Sequence, residues 1–265
     1  MNYIFYDLET NGLDYYTTGI MQISMLDVNG NIILNQYTYP FDNRIDGTSI
    51  HGIDEQKLIV NNAISAIDAC TLMKEIIHRK YGNEDIHLIA YNNFGYDQII
   101  LENNFKICCI KIPDNWSFID LFPIVKVMYP IIKPNYKLRT VFEAICGKDA
   151  SINFHCALGD TTCLYKIFQK IDKNTRSILF PKYTRSLLQN NNIFNSPISS
   201  LNGVHASMLL EEKGILVIGD IYEIFKNVEY DNDNFEYYLK TYLGVYSKYY
   251  IGNMFKQLNV IKYFR

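Results

Sequence analysis

The chain has 265 residues, 48% hydrophobic and 20% charged, with a formal net charge of -3. This composition belongs to a globular protein able to bury a substantial core, and it excludes a disordered chain or one surrounded by a strong positive field. Six cysteines without C-x-x-C spacing exclude a zinc ribbon and a disulfide scaffold. No apolar run approaches the roughly 20 residues of a membrane span and no leader pattern precedes the first strand, so a soluble, intracellular protein without a membrane partner is expected.

Tyr3-Ile4-Phe5-Tyr6-Asp7-Leu8-Glu9-Thr10 reads as a strand, and its period of two puts Asp7 and Glu9 on one face with Leu8 on the other. Asn11-Gly12-Leu13 is a turn signal. Runs 20–27 and 32–39 flank Asn29-Gly30, a strong hairpin signal, so an antiparallel three-strand meander is expected. Asp54 caps a short helix that includes Leu58, and 63–81 has helical spacing up to Gly82. A strand at 86–91, a loop at 92–95, a helix from Tyr96, a short strand at 118–121 and helices over 135–146 and 160–171 complete an α/β layer, a mixed sheet flanked by helices.

From Lys173 the character changes. A helical stretch around 177–189 leads into a connector at Asn190-Asn191-Asn192 and Ser196-Pro197, and then into a tyrosine-rich helical tail. The expected division is 1–172 and 173–265. Leu201-Asn202-Gly203-Val204-His205, followed by a helix ending at Gly214, resembles a helix-hairpin-helix over 199–221, with His205 replacing the usual second glycine.

Two carboxylates held side by side on a strand repel, so they either face solvent harmlessly, share a proton or share a hard divalent cation. Asp97 in a first helical turn reads equally as a complement to the helix dipole. Asp160 occupies the same place on the last helix of the first part, with His155 on the preceding loop.

Taken together and in order, Asp7-Leu8-Glu9-Thr10-Asn11-Gly12-Leu13, Tyr91-Asn92-Asn93-Phe94-Gly95-Tyr96-Asp97 and His155 to Asp160 resemble the DEDDh, or DnaQ-like, 3′-to-5′ exonucleases. Ile50-His51-Gly52-Ile53-Asp54 and Asp120-Leu121 match secondary segments of that superfamily. Tyr91 stands where many relatives carry histidine, a form closer to the exonuclease I branch. Cys156 stands where the sister DEDDy group has its tyrosine.

The resemblance implies a ribonuclease-H-like fold and a two-metal mechanism with Mg²⁺ or Mn²⁺. Asp7 would bridge both ions, Glu9 and Asp160 would complete one shell, and Asp97 would serve the second. His155 would take a proton from the attacking water, and each turnover would release a nucleoside 5′-monophosphate. Thr10, Asn11, Gly12, Leu13, His51, Tyr91, Asn92 and Phe94 are the implied substrate contacts, Leu13 as a wedge and Phe94 or Tyr91 as stacking surfaces. The expected partners are single-stranded or duplex nucleic-acid 3′ ends, DNA before RNA, with a polymerase or repair complex as a further candidate. The competing expectations are an exoribonuclease and an idle nucleic-acid-binding module that kept the fold.

Overall fold

In the computed structural model, described over residues 1–13, 18–187 and 218–243 and at positions 210, 215, 245, 251, 252, 254, 255 and 258, the chain forms two compact units, 1–187 and 188–265. The first unit is built on a seven-stranded mixed sheet of order β4-β3-β2-β1-β5-β6-β7. Its strands are β1 (Asn2–Thr10), β2 (Ile20–Asp27), β3 (Ile32–Tyr39), β4 (Ile64–Ser65), β5 (Ile86–Ala90), β6 (Trp116–Asp120) and β7 (Thr184–Ser186). β1, β2 and β3 form the expected antiparallel meander, and β5 and β6 add to β1 in parallel. The Cβ alternation of β1 decides what each face does. Ile4, Tyr6 and Leu8 enter a core with helices α3 (Ala66–Tyr81) and α4 (Asp97–Ile107). Phe5 enters the opposite core with α5 (Leu121–Met128), α6 (Leu138–Cys146) and α7 (Ala157–Gln169). Asp7 and Glu9 share the Phe5 face, which is the face carrying α7.

Short helices α1 (Thr48–His51) and α2 (Glu55–Val60) lie between β3 and β4, and the Asp54 carboxylate caps α2 by accepting from the Lys57 amide. α3 begins at Ala66 rather than 63, because Ile64 and Ser65 pair with β3 and the Ser65 hydroxyl caps the helix. α5 has no counterpart in the sequence expectation. Pro123 stands in its first turn, where proline's missing N–H has no intrahelical partner.

The helix expected over 177–189 is a further correction. α8 (Lys173–Leu179) stops before Pro181, a 3₁₀ turn follows, and β7 pairs antiparallel with the outer side of β6. Pro181 cannot continue the helical hydrogen bonding, and the open edge of β6 supplies the alternative partner. These elements fall after the break at 172–173 suggested by composition, and they belong to the first unit. In the second unit, helices Ile218–Asn227 and Asn232–Leu243 bury Ile221, Tyr222, Phe225, Phe235 and Leu239 in a core of their own. The helix-hairpin-helix segment before them lies for the most part outside the described residues. No helix among the described residues is long and apolar enough to cross a membrane.

Candidate active site

Three carboxylates meet above the C-terminal half of β1. Asp7, Glu9 and Asp160 each offer an oxygen, and these oxygens lie within 4.8 Å of one another. Asp7 and Glu9 are placed by the strand period, and Asp160 by the first turn of α7 packed on β1 and β2. Asp97, the first residue of α4, is buried and close enough to raise Asp7 electrostatically, and the Leu8 backbone N–H donates to its carboxylate.

Electrostatics agree with crowding. Burial, then the charges of Asp97, Asp160 and Glu9, push Asp7 well above the usual carboxylate range. Burial and then Asp160 push Glu9 up to about 7, with Lys57 opposing. Asp160 is raised to about 6 by burial, with His155 pulling the other way, and Asp97 is raised by burial and then by Asp120. None of the four acids is in an ion pair among the described residues. Crowded oxygen donors that resist being charged together are the set a hard divalent cation would neutralise; they do not suit a soft metal that prefers sulfur or imidazole.

His155 is exposed on the loop before α7 with φ +61°, two residues ahead of the helix. What brings this loop to Asp160 is Gly159, because a Cβ there would lie 2.0 Å from the Asn153 carbonyl oxygen. The start of α7 is tied to the sheet by Gln22, whose side-chain oxygen accepts from the Ala157 amide at 3.3 Å. Gln22 is paired with Glu9 across β1 and β2 and is buried.

No family model matches the chain. The chloroplastic/mitochondrial exonuclease DPD1 of Arabidopsis thaliana is 26% identical over 176 residues, 62% of this chain and 54% of that protein. A structure of exonuclease I superposes with a TM-score of 0.56 at 18% identity, covering 68% of this chain and 42% of that one. The zinc-bound complex of E. coli exonuclease I with single-stranded DNA gives 0.54, and its complex with a dT13 oligonucleotide 0.55, each at 18% identity and 68% coverage of this chain, and 42% and 43% of the other. The first unit thus shares the fold of exonuclease I, and its sequence is similar to that of an exonuclease. The chain spans about half the length of these relatives.

In the first unit the residues implied as substrate contacts divide into groups. Leu13 is 79% exposed. The turn beneath it is held from within: the Tyr96 hydroxyl donates to the Gly12 carbonyl at 2.6 Å, and Thr10 Oγ1 reaches the same oxygen at 3.0 Å. Asn11 is buried, with its amide nitrogen donating to Asp42 and the Arg44 carbonyl and its oxygen accepting from the Gly19 amide. Its side chain therefore shapes the turn. His51 is buried too: Nδ1 accepts from the Ile53 amide, which leaves Nε2 to donate to the Asp46 carbonyl. Both ring nitrogens are engaged within the protein.

Tyr91 is held by its hydroxyl, which donates to the Tyr136 carbonyl, and by its ring, edge-on to Phe122. Asn92 takes the left-handed conformation that starts the loop before Asp97. Phe94 is half-buried beneath Arg185 of β7, whose guanidinium lies 4.1 Å from the ring centroid. The Phe94 amide donates to Asp120, which burial raises to about 6 against that bond, those of the Phe122 and Asn93 amides and the attraction of Arg185. Asn93 is fully buried, donating to the Leu88 and Ile119 carbonyls and accepting from the Tyr6 hydroxyl, so it ties β1, β5 and β6 together beneath the site. Gln22, Asn93, Tyr96 and Gly159 were not singled out from the sequence. The available signal was a polar residue inside an otherwise apolar buried run, as Gln22 is in Ile20–Ile23.

Proposed function

We propose that the protein is a metal-dependent 3′-to-5′ exonuclease that releases nucleoside 5′-monophosphates from nucleic-acid 3′ ends, with DNA the preferred substrate. The observation that carries this reading is the convergence of Asp7, Glu9 and Asp160 beside buried Asp97. Asp7, central to the three other acids, would hold both of two Mg²⁺ or Mn²⁺ ions. Glu9 and Asp160 would complete the shell of one ion, and Asp97 would serve the other, consistent with its approach from α4. When bound, such ions supply neutralisation of the crowded carboxylates and stabilise charge on the attacking and leaving oxygens.

The protein's own groups do the rest. His155, exposed at the mouth of the site, takes the proton of the attacking water. Leu13 meets the terminal base, on a turn kept in place by Tyr96, Thr10 and Asn11. Phe94 keeps its loop fixed under Arg185, while His51 braces the segment from Asp46 to Ile53. The DNA oligonucleotides bound by E. coli exonuclease I support a DNA substrate here. We also infer that 1–187 is the nuclease domain and that 188–265, which has a core of its own, is a second domain.

The deciding experiment is release of mononucleotides from 3′-labelled single-stranded DNA, duplex DNA and RNA of one sequence. Mg²⁺-dependent release by the wild-type protein, with DNA fastest, and its loss in Asp7→Ala are the expected results. Full activity of Asp7→Ala, or in the presence of chelator, would overturn the mechanism. Faster release from RNA would overturn the substrate preference.

A further inference from the structure

Lys57 lies in α2, on the β3 side of the carboxylates. The cross-strand row Glu9, Gln22, Tyr37 runs along one face of β1, β2 and β3, because directly paired residues point the same way. At the far end of this row the Lys57 ammonium stands over the Tyr37 ring, 5.8 Å from its centroid. Exposed Gly52, held at φ +63° as the C-cap of α1, lies beside Lys57 Nζ. Lys80, Lys111, Lys166, Lys226 and Lys240 have a carboxylate partner, and Lys74, Lys126 and Lys170 have none among the described residues. Lys57 has none among the described residues, although it is within electrostatic reach of Glu9 and of His51.

A cation facing an acid cluster without pairing to it requires explanation, since attraction to Glu9 would otherwise draw the flexible side chain across. Here the Lys57 backbone amide is fixed by the Asp54 cap and the side-chain ammonium rests over the Tyr37 ring. Seated there and not paired with a carboxylate, it places positive charge on the β3 side of the acids. We propose that Lys57, seated on Tyr37, contacts a backbone phosphate of the bound strand on the β3 side of the carboxylates. This rests on the exonuclease reading given above, and it adds a strand contact outside the metal-binding acids.

The test is equilibrium binding of a fluorescein-labelled oligo-dT strand in Ca²⁺ over a range of NaCl, with steady-state turnover in Mg²⁺, for wild type, Lys57→Gln and Lys57→Arg. Removing one charge-assisted phosphate contact should weaken binding about tenfold and make the slope of log K against log salt shallower by about 0.7. KM should rise with kcat within about twofold, and Lys57→Arg should restore both the affinity and the slope. An unchanged affinity and slope in Lys57→Gln, or a fall in kcat with the slope intact, would overturn the contact. Absence of mononucleotide release by the wild-type protein would overturn the exonuclease reading alone, because the salt slope is measured without turnover.

Discussion

The carbonyl oxygen of Asn153 occupies the space that a side chain on Gly159 would fill, with a Cβ at 2.0 Å. The loop carrying His155 thus crosses the first turn of α7 in direct contact with helix backbone, one residue before Asp160. Ordinarily glycine to alanine within a helix stabilises by about 1 kcal/mol. Here the collision dominates, since forcing a methyl into a packed contact costs about 1–3 kcal/mol and must displace either the loop or the helix. Gly159→Ala is therefore expected to lower the melting temperature and to reduce kcat at least tenfold by moving His155 from Asp160. A circular-dichroism melt together with mononucleotide release measures both. A variant with raised stability and intact turnover would show that the loop is not held at Gly159.

Asp27, at the end of β2, is a different kind of acid. Burial alone would raise it, but hydrogen bonds from the Asn31 side chain, Lys80, and the Asn31 and Asn29 amides bring it down to about 2. Lys80 Nζ lies 2.9 Å from the carboxylate. A depressed carboxyl contributes stability that is present above its unfolded value, near 4, and is lost as pH falls through the folded value. The contribution is about 2 kcal/mol at neutral pH, less whatever solvent screening takes at half-exposed Lys80. Asp27→Asn should lower stability at pH 5–7, and the gap from wild type should shrink as pH falls from about 4 to about 2. Thermal melts of both proteins across that range provide the comparison. A gap independent of pH would mean that Asp27 does not titrate as its surroundings dictate.

The acids were legible because each sits in a short local pattern. A strand period is enough to pair Asp7 with Glu9, and a helix start is enough to mark Asp97 and Asp160. The residues that aim them were less legible, because they act across the fold. Gln22 matters through a backbone amide 135 positions away in the sequence, and Gly159 through the backbone of a loop that folds back over its helix. For His51 the motif suggests contact with substrate, and what the sequence does not announce is that its two ring nitrogens close a local loop. The stretch 177–189 failed by local propensity, since nothing near it announces that the edge of β6 is open to take Thr184–Ser186.

That edge yields the last prediction. β7 contributes more than three paired residues, because Phe180 and Leu187 around it are buried in the two separate cores of the first unit. Arg185 lies over Phe94 and attracts Asp120, which receives the amides of the loop leading to Asp97. A chain of residues 1–187 keeps all of this, whereas a chain of residues 1–172 loses the strand, both apolar anchors and the guanidinium. Loss of the Phe180 side chain alone should cost about 3–5 kcal/mol, and the exposed edge of β6 should favour aggregation. The expectation is a cooperative melt and Mg²⁺-dependent release from short oligonucleotides for 1–187, with 1–172 unfolded or aggregated under the same conditions. Arg185→Gln in the full chain separates the two contributions: it should leave the fold cooperative while lowering kcat, because the loop that positions Asp97 loses its clamp. A 1–172 chain as stable and active as 1–187 would show that β7 is dispensable and that the nuclease domain ends before it.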